Sequence, residues 1–75
     1  MYINMQNRNL MIKVNGEPFV CEKGFSLFDL INHLNFSVKN IVLEYNTNIV
    51  SDSDLDTILL KDGDQVEIVT IVGGG

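Results

Sequence analysis

One stretch of this chain carries a helical apolar period, and strand-like alternation lies on both sides of it. Leu27, Leu30, Ile31 and Leu34 fall at i, i+3, i+4 and i+7, the spacing of one apolar stripe on an α-helix. A chain of 75 residues is too short to hold two independent cores. A lone helix with one apolar face must therefore bury that face against a sheet. Start and stop signals frame the stripe. Ser26 can cap the helix, and Asp29 three residues later approximates a capping box while placing negative charge at the positive end of the helix dipole. Phe25 and Leu30 have the spacing of a hydrophobic staple, and Asn35 serves as terminator.

The strands are read from period-two alternation. Leu10, Ile12 and Val14 alternate with Met11 and Lys13, the pattern of a half-buried strand. Asn15-Gly16 follows, and both central positions of a type I′ hairpin turn need φ > 0, which this dipeptide supplies. Glu17 to Glu22 returns as the second strand, with Phe19 and Cys21 on one face and Pro18 near its start. Lys23-Gly24 breaks it ahead of the helix. Ile41 to Tyr45 is a third strand, with Ile41, Leu43 and Tyr45 on one side and Glu44 on the other. Asn46 to Asn48 turns the chain, and Ile49-Val50 is a short strand. Ser51 to Leu60 is too polar for a strand and predicts a turn of helix or 3₁₀, with Leu55, Ile58 and Leu59 tucked inward. Lys61-Asp62-Gly63-Asp64 is a tight turn. Gln65 to Val72 is the last and longest strand, alternating Val66, Ile68, Thr70 and Val72 against Gln65, Glu67, Val69 and Ile71. The expected fold is α+β, a mixed sheet packed over one main helix. Residues 1–9 form a short N-terminal extension, 10–72 the domain, and 73–75 a flexible glycine tail.

Composition removes several classes of function. Ten acidic residues face five basic ones, a net charge of −5. Nucleic-acid binding needs Lys and Arg to neutralise phosphates, so no nucleic acid partner is expected, and an acidic carrier suits partners with basic docking surfaces. No apolar run approaches the ~20 residues of a membrane span, and the first ten residues lack a secretory pattern. The chain is expected to be cytoplasmic. The absence of Ala and Trp beside many Asn and Ile is what an A+T-rich genome produces, so a plastid stroma is the alternative if the gene is organellar. A lone Cys21 excludes an internal disulfide and any cluster or zinc site of several cysteines. Its phase with Phe19 marks it as a buried residue and not a persulfide carrier. Asp52, Asp54 and Asp56 mimic the opening of a calcium loop. Thr57 stands where that loop needs glycine, and Gly63 where it needs glutamate, so no metal is expected there. His33, near the helix end, is a surface residue suited to the dipole.

The chemistry points to the last residues. Gly73, Gly74 and Gly75 leave directly from a strand with no spacer. Three extended residues reach ~10 Å, and without Cβ atoms they can thread a channel too narrow for other residues. The reactive group is then the α-carboxyl of Gly75. It has a reference pKa near ~3.5 and is ionised and inert to nucleophiles until activated. ATP can supply that activation by forming an acyl-adenylate, which sulfur can attack. If the opposite face of their strand covers the helix, Val69 and Ile71 are exposed beside the tail as a docking patch; burial of the two under another loop is the equal alternative.

These segments resemble the thiamine-biosynthesis sulfur-carrier proteins of the ubiquitin-like β-grasp superfamily. The resemblance is carried by IKVNGEPF (12–19), GFSLFDLI (24–31), IVLEYNTNIV (41–50) and, most specifically, KDGDQVEIVTIVGGG (61–75). It implies a β-grasp sheet over one helix and a protein cosubstrate in place of an enzyme. It further implies adenylation of the terminal glycine by an E1-like adenylyltransferase, with ATP used by that partner and no cofactor bound to the carrier. Sulfur would come from a cysteine-desulfurase-type persulfide donor and pass to thiazole synthase. Gly74 and Gly75 match the family's functional pair, and Gly73 is an extra glycine before them. The small subunit of molybdopterin synthase shares the fold and the Gly-Gly end. It tends to be longer and to carry prolines before its glycines, which Val69 to Val72 lacks. A ubiquitin-like protein modifier is a third reading. A ferredoxin shares the fold but needs more than one cysteine.

Overall fold

A computed structural model describes residues 9–71. Strands β1 (Asn9–Val14) and β2 (Glu17–Glu22) pair antiparallel in full register, from Val14 opposite Glu17 to Asn9 opposite Glu22. Asn15 (φ 52°) and Gly16 (φ 81°) make the connecting turn, both with the positive φ that matches the twist of the flanking strands. A side chain added at Gly16 would meet nothing within 4 Å, so only the backbone opposes substitution there. Gly16→Val forces a β-branched residue into the left-handed region at about 1–2 kcal/mol, which lowers the melting temperature by roughly 4–16 °C. Thermal unfolding checks this, and a parent-like midpoint would contradict the turn geometry.

Helix α1 (Leu27–His33) starts on a full capping box. The Asp29 N–H donates to the Ser26 hydroxyl at 3.0 Å, and the Ser26 N–H donates to the Asp29 carboxylate at 2.9 Å. It ends on Asn35 at φ 64°. There the Phe36 N–H donates to the Ile31 carbonyl (3.0 Å) and the Asn35 N–H to the Asn32 carbonyl (3.1 Å), satisfying two end carbonyls. Leu27, Leu30 and Ile31 are fully buried. They lie in one core cluster with Ile12, Cys21, Ile41, Leu43, Val66 and Ile68 from the inner face of the sheet. Truncating any of the three helix residues to alanine would cost about 2–5 kcal/mol.

The sheet is completed by β3 (Ile41–Tyr45), β4 (Asn48–Ile49) and β5 (Gln65–Thr70), in the order β2-β1-β5-β3-β4. β5 is the central strand, parallel to β1 and antiparallel to β3. The α+β expectation of a mixed sheet over one helix therefore holds.

Four details differ from the sequence reading. Asn9 opens β1 instead of closing an N-terminal extension, and residues 1–8 lie outside the described residues. β4 is Asn48–Ile49 in place of Ile49-Val50, because Asn46 (φ 49°) and Thr47 (φ 77°) already complete a two-residue turn. Leu59 is exposed and Leu60 is buried. The 3₁₀ turn covers only Asp52–Asp54, a turn follows over 55–57, and from Ile58 the chain pairs as a strand would. Ser26 and Leu59 form a β-bridge, and the Leu60 N–H donates to the Phe25 carbonyl at 2.8 Å. Alternation then sends Ile58 and Leu60 inward and Leu59 outward. Last, β5 ends at Thr70, which is exposed, and Val72 lies outside the described residues. No helix among the described residues is long and apolar enough to cross a membrane.

Candidate functional site

β5 is the last strand before residues 72–75, so whatever holds β5 fixes where the described chain stands at Ile71. The first residues of β5 are fixed by a carboxylate that the sequence reading treated only as part of a turn. Asp64 is buried. It accepts hydrogen bonds from the Tyr45 hydroxyl (2.7 Å), the Asn46 side-chain amide (3.1 Å) and the Lys61 N–H (2.7 Å). Burial alone would push the Asp64 carboxyl up. These donors, with the nearby Lys61 charge, outweigh burial and hold it below the usual carboxylate range. For Tyr45, burial and then the Asp64 carboxylate push the phenol up to about 12. Asn46 closes the arrangement, its side-chain oxygen accepting from the Gln65 N–H at 2.8 Å. One signal in the sequence could have found this site. Tyr45 lies in phase with the inward Ile41 and Leu43, so its hydroxyl needed a partner inside.

Farther along, Asn15 does the work of a missing strand residue. Its Oδ1 accepts from the Ile68 N–H (2.7 Å), and its Nδ2 donates to the Ile68 carbonyl (3.2 Å). Paired strand residues of β1 stop at Val14, opposite Val66. The Asn15 amide thus carries β1-side pairing two residues beyond the last backbone partner. On the other side the Ile71 N–H donates to the Asn40 carbonyl at 2.7 Å, so pairing persists to the last described residue. A strand held on both edges delivers its C-terminal end in a fixed direction.

Val69 and Ile71 are 60% and 49% exposed. Val42, directly opposite Val69 in the β3 ladder, is 37% exposed and continues the apolar surface. Gly73, Gly74 and Gly75 lie outside the described residues. The other candidates do not join this site. Cys21 is buried, and burial followed by the Asp64 charge pushes its thiol up, so it stays protonated and a poor nucleophile. His33 packs against Phe19 and Phe25, with ring centroids 5.6 and 6.3 Å away. Asp52, Asp54 and Asp56 are exposed, and no group of three or more His, Cys, Asp or Glu among the described residues is placed to hold a metal.

Comparison with known proteins gives a consistent result. The ThiS family model matches residues 12–75. The ycf40 protein of Porphyra purpurea is 42% identical over 71 residues, covering 95% of this chain and 100% of that protein. A thiazole synthase of Magnetococcus marinus is 35% identical over 66 residues, which is 88% of this chain but 20% of the synthase. Among solved structures, the crystal structure of the thiamine biosynthesis protein ThiS from Geobacter metallireducens superposes with a TM-score of 0.76. It is 26% identical and covers 88% of this chain and 100% of its own. The fold is thus the ubiquitin-like β-grasp.

Proposed function

The chain belongs to the ThiS family of sulfur carriers, and from that premise we propose that it bears sulfur as a thiocarboxylate on Gly75 for delivery to thiazole synthase. A carboxylate oxygen of Gly75 attacks the α-phosphate of ATP on an E1-like activating enzyme, and pyrophosphate leaves. The terminal sulfur of a cysteine persulfide then displaces AMP from the acyl carbon, and a thiol cleaves the S–S bond to leave the thiocarboxylate. The carrier contributes position and partner enzymes contribute catalysis. It works in the cytoplasm, or in the plastid stroma if its gene is organellar.

The observation that carries the choice of thiazole synthase is the similarity to 20% of a thiazole synthase in Magnetococcus marinus and again in Paramagnetospirillum magneticum. Those proteins hold a segment like this chain within the synthase polypeptide. Covalent attachment of carrier to acceptor raises their effective concentration, a gain only where the two must meet. The family match reaches residue 75, which supports Gly75 as the sulfur-bearing residue.

The test is intact-protein mass spectrometry after incubation with the activating enzyme, ATP and a persulfide donor. The carrier is expected to gain the mass of one sulfur replacing one oxygen, and to lose it on incubation with thiazole synthase and its substrates. Sulfur located on Cys21, or a thiocarboxylate that thiazole synthase leaves untouched, would overturn the reading.

A further inference from the structure

Glu44 and Glu67 stand directly opposite each other in the β3–β5 ladder, both exposed on the outer face of the sheet. Like charges directly opposite destabilise an antiparallel pair. No cation stands directly opposite either carboxylate, and Lys13, opposite Gln65 on the same face, is the diagonal neighbour of Glu67, one step back. The other cross-strand neighbour of Glu44 is Ile49, 71% exposed, and the paired residues of β1 end at Val14, before the level of Glu67. One pair farther along the same face lie Val42 and Val69, with Ile71 beyond. An acid pair is therefore framed by exposed apolar side chains, on the strand that runs into the tail.

We propose that Glu44 and Glu67 together receive one arginine of the activating enzyme, whose apolar side chains around that arginine cover Val42, Val69 and Ile71. This rests on the carrier reading above. Hydrogen-bonded antiparallel partners have Cα atoms ~5.5 Å apart, close enough for both carboxylates to converge on one group. A guanidinium offers five donors in a planar fork and stays charged when desolvated, whereas an ammonium is a compact, strongly hydrated point charge. Charge complementarity selects the occupant. A second copy of this chain would set acid pair against acid pair, and the net charge of −5 repels nucleic acid. The geometry also suits the chemistry. Ile71 is four residues past Glu67 and Gly75 another four, so the arginine lies within ~27 Å of the carboxylate to be activated. The cost that the acid pair imposes on the free carrier is relieved in the complex.

The proposal predicts opposite signs for stability and binding. Glu44→Gln, Glu67→Gln and the double variant are titrated calorimetrically with the activating enzyme and melted thermally. Each single change should weaken binding about tenfold or more and the double change further, since a hydrogen-bonded charge loses its partner. Melting temperatures should be unchanged or a few degrees higher. Binding of the parent should weaken with salt, and binding of the double variant, still net acidic, should weaken less steeply. Parent-like affinity in the double variant would overturn the proposal, as would weakened binding accompanied by a lower melting temperature, or self-association of the carrier through this face. A parent that is thiolated while the Glu variants bind equally well removes only the acid pair. A parent that neither binds the activating enzyme nor gains sulfur removes the carrier reading and this proposal with it.

Discussion

Asp64→Ala is expected to lower the melting temperature by roughly 12–24 °C, the consequence of losing about 3 kcal/mol in a domain of this size. Asp64 is 6% exposed and its carboxylate accepts from three donors in two segments, the end of β3 with its turn to β4 and the turn before β5. Alanine leaves the Tyr45 hydroxyl, the Asn46 amide and the Lys61 N–H facing a space with no acceptor. Hydrogen bonds to a charged group contribute about 1.5–3 kcal/mol each, and partial rehydration of the abandoned donors keeps the total well below their sum. A small domain holds only about 0.05–0.15 kcal/mol per residue, so this one side chain carries a large share of the margin.

The same cluster sets two pH limits. Asp64 has its carboxyl held low in the folded state, so its contribution is complete above the unfolded value of ~3.9 and is lost as pH falls through the folded value. Tyr45 is pushed up to about 12, so its contribution is complete below the unfolded value of ~10 and is lost as pH rises from there through about 12. Asp64→Asn should flatten the acid limb, and absorbance titration should show one of the two tyrosines ionising near pH 12. A variant with the acid sensitivity of the parent, or two tyrosines titrating together near ~10, would show that the cluster does not hold in solution.

Why that cluster escaped the sequence reading while the helix did not is a matter of locality. Leu27, Leu30 and Ile31, the Ser26–Asp29 box and Asn35 all act within a few residues of one another, so the sequence itself contains the interaction. The Asn15-Gly16 hairpin is legible for the same reason. Asp64 meets Tyr45 across 19 positions and Asn15 meets Ile68 across 53, through a register that only the assembled sheet defines. Locally, Lys61-Asp62-Gly63-Asp64 is indistinguishable from a solvated turn. Leu59 and Leu60 failed differently. Extending a helical turn over residues that run extended inverts which of two adjacent leucines faces in. Of the site, exposure of Val69 and Ile71 was only half legible: one face of β5 must cover the helix, but whether a loop buries the other is decided by the assembled fold, which leaves both exposed. The opposition of Glu44 and Glu67 was not, since it too is a fact of register.

Deleting Gly75, or appending one alanine after it, should abolish thiolation while leaving the fold intact. The mechanism places a single reacting carbon at a set distance from a docking surface. β5 is paired to residue 71 on its β3 side and fixed at Ile68 by the Asn15 amide, so the patch at Val69 and Ile71 and the exit direction of the chain are one rigid reference. Four residues beyond Ile71 span at most ~14 Å, and one residue changes that reach by ~3.5 Å. Displacing a reacting atom by as little as ~1 Å can cost about 10²-fold in rate, so a shift of a whole residue should leave no measurable product on the time scale of the parent reaction. On the proposed mechanism, appended alanine also places a methyl group where glycine offers none, in the passage expected to hold the adenylate. Neither change touches a core residue, so thermal midpoints should match the parent, and binding to the activating enzyme through the β3–β5 face should persist. Intact-mass measurement then separates the steps: both variants bind, and only the parent gains sulfur. An alanine-extended carrier thiolated at the rate of the parent would mean that the position of the terminal carbon is not what the enzyme reads, and the thiocarboxylate mechanism on Gly75 would have to be abandoned.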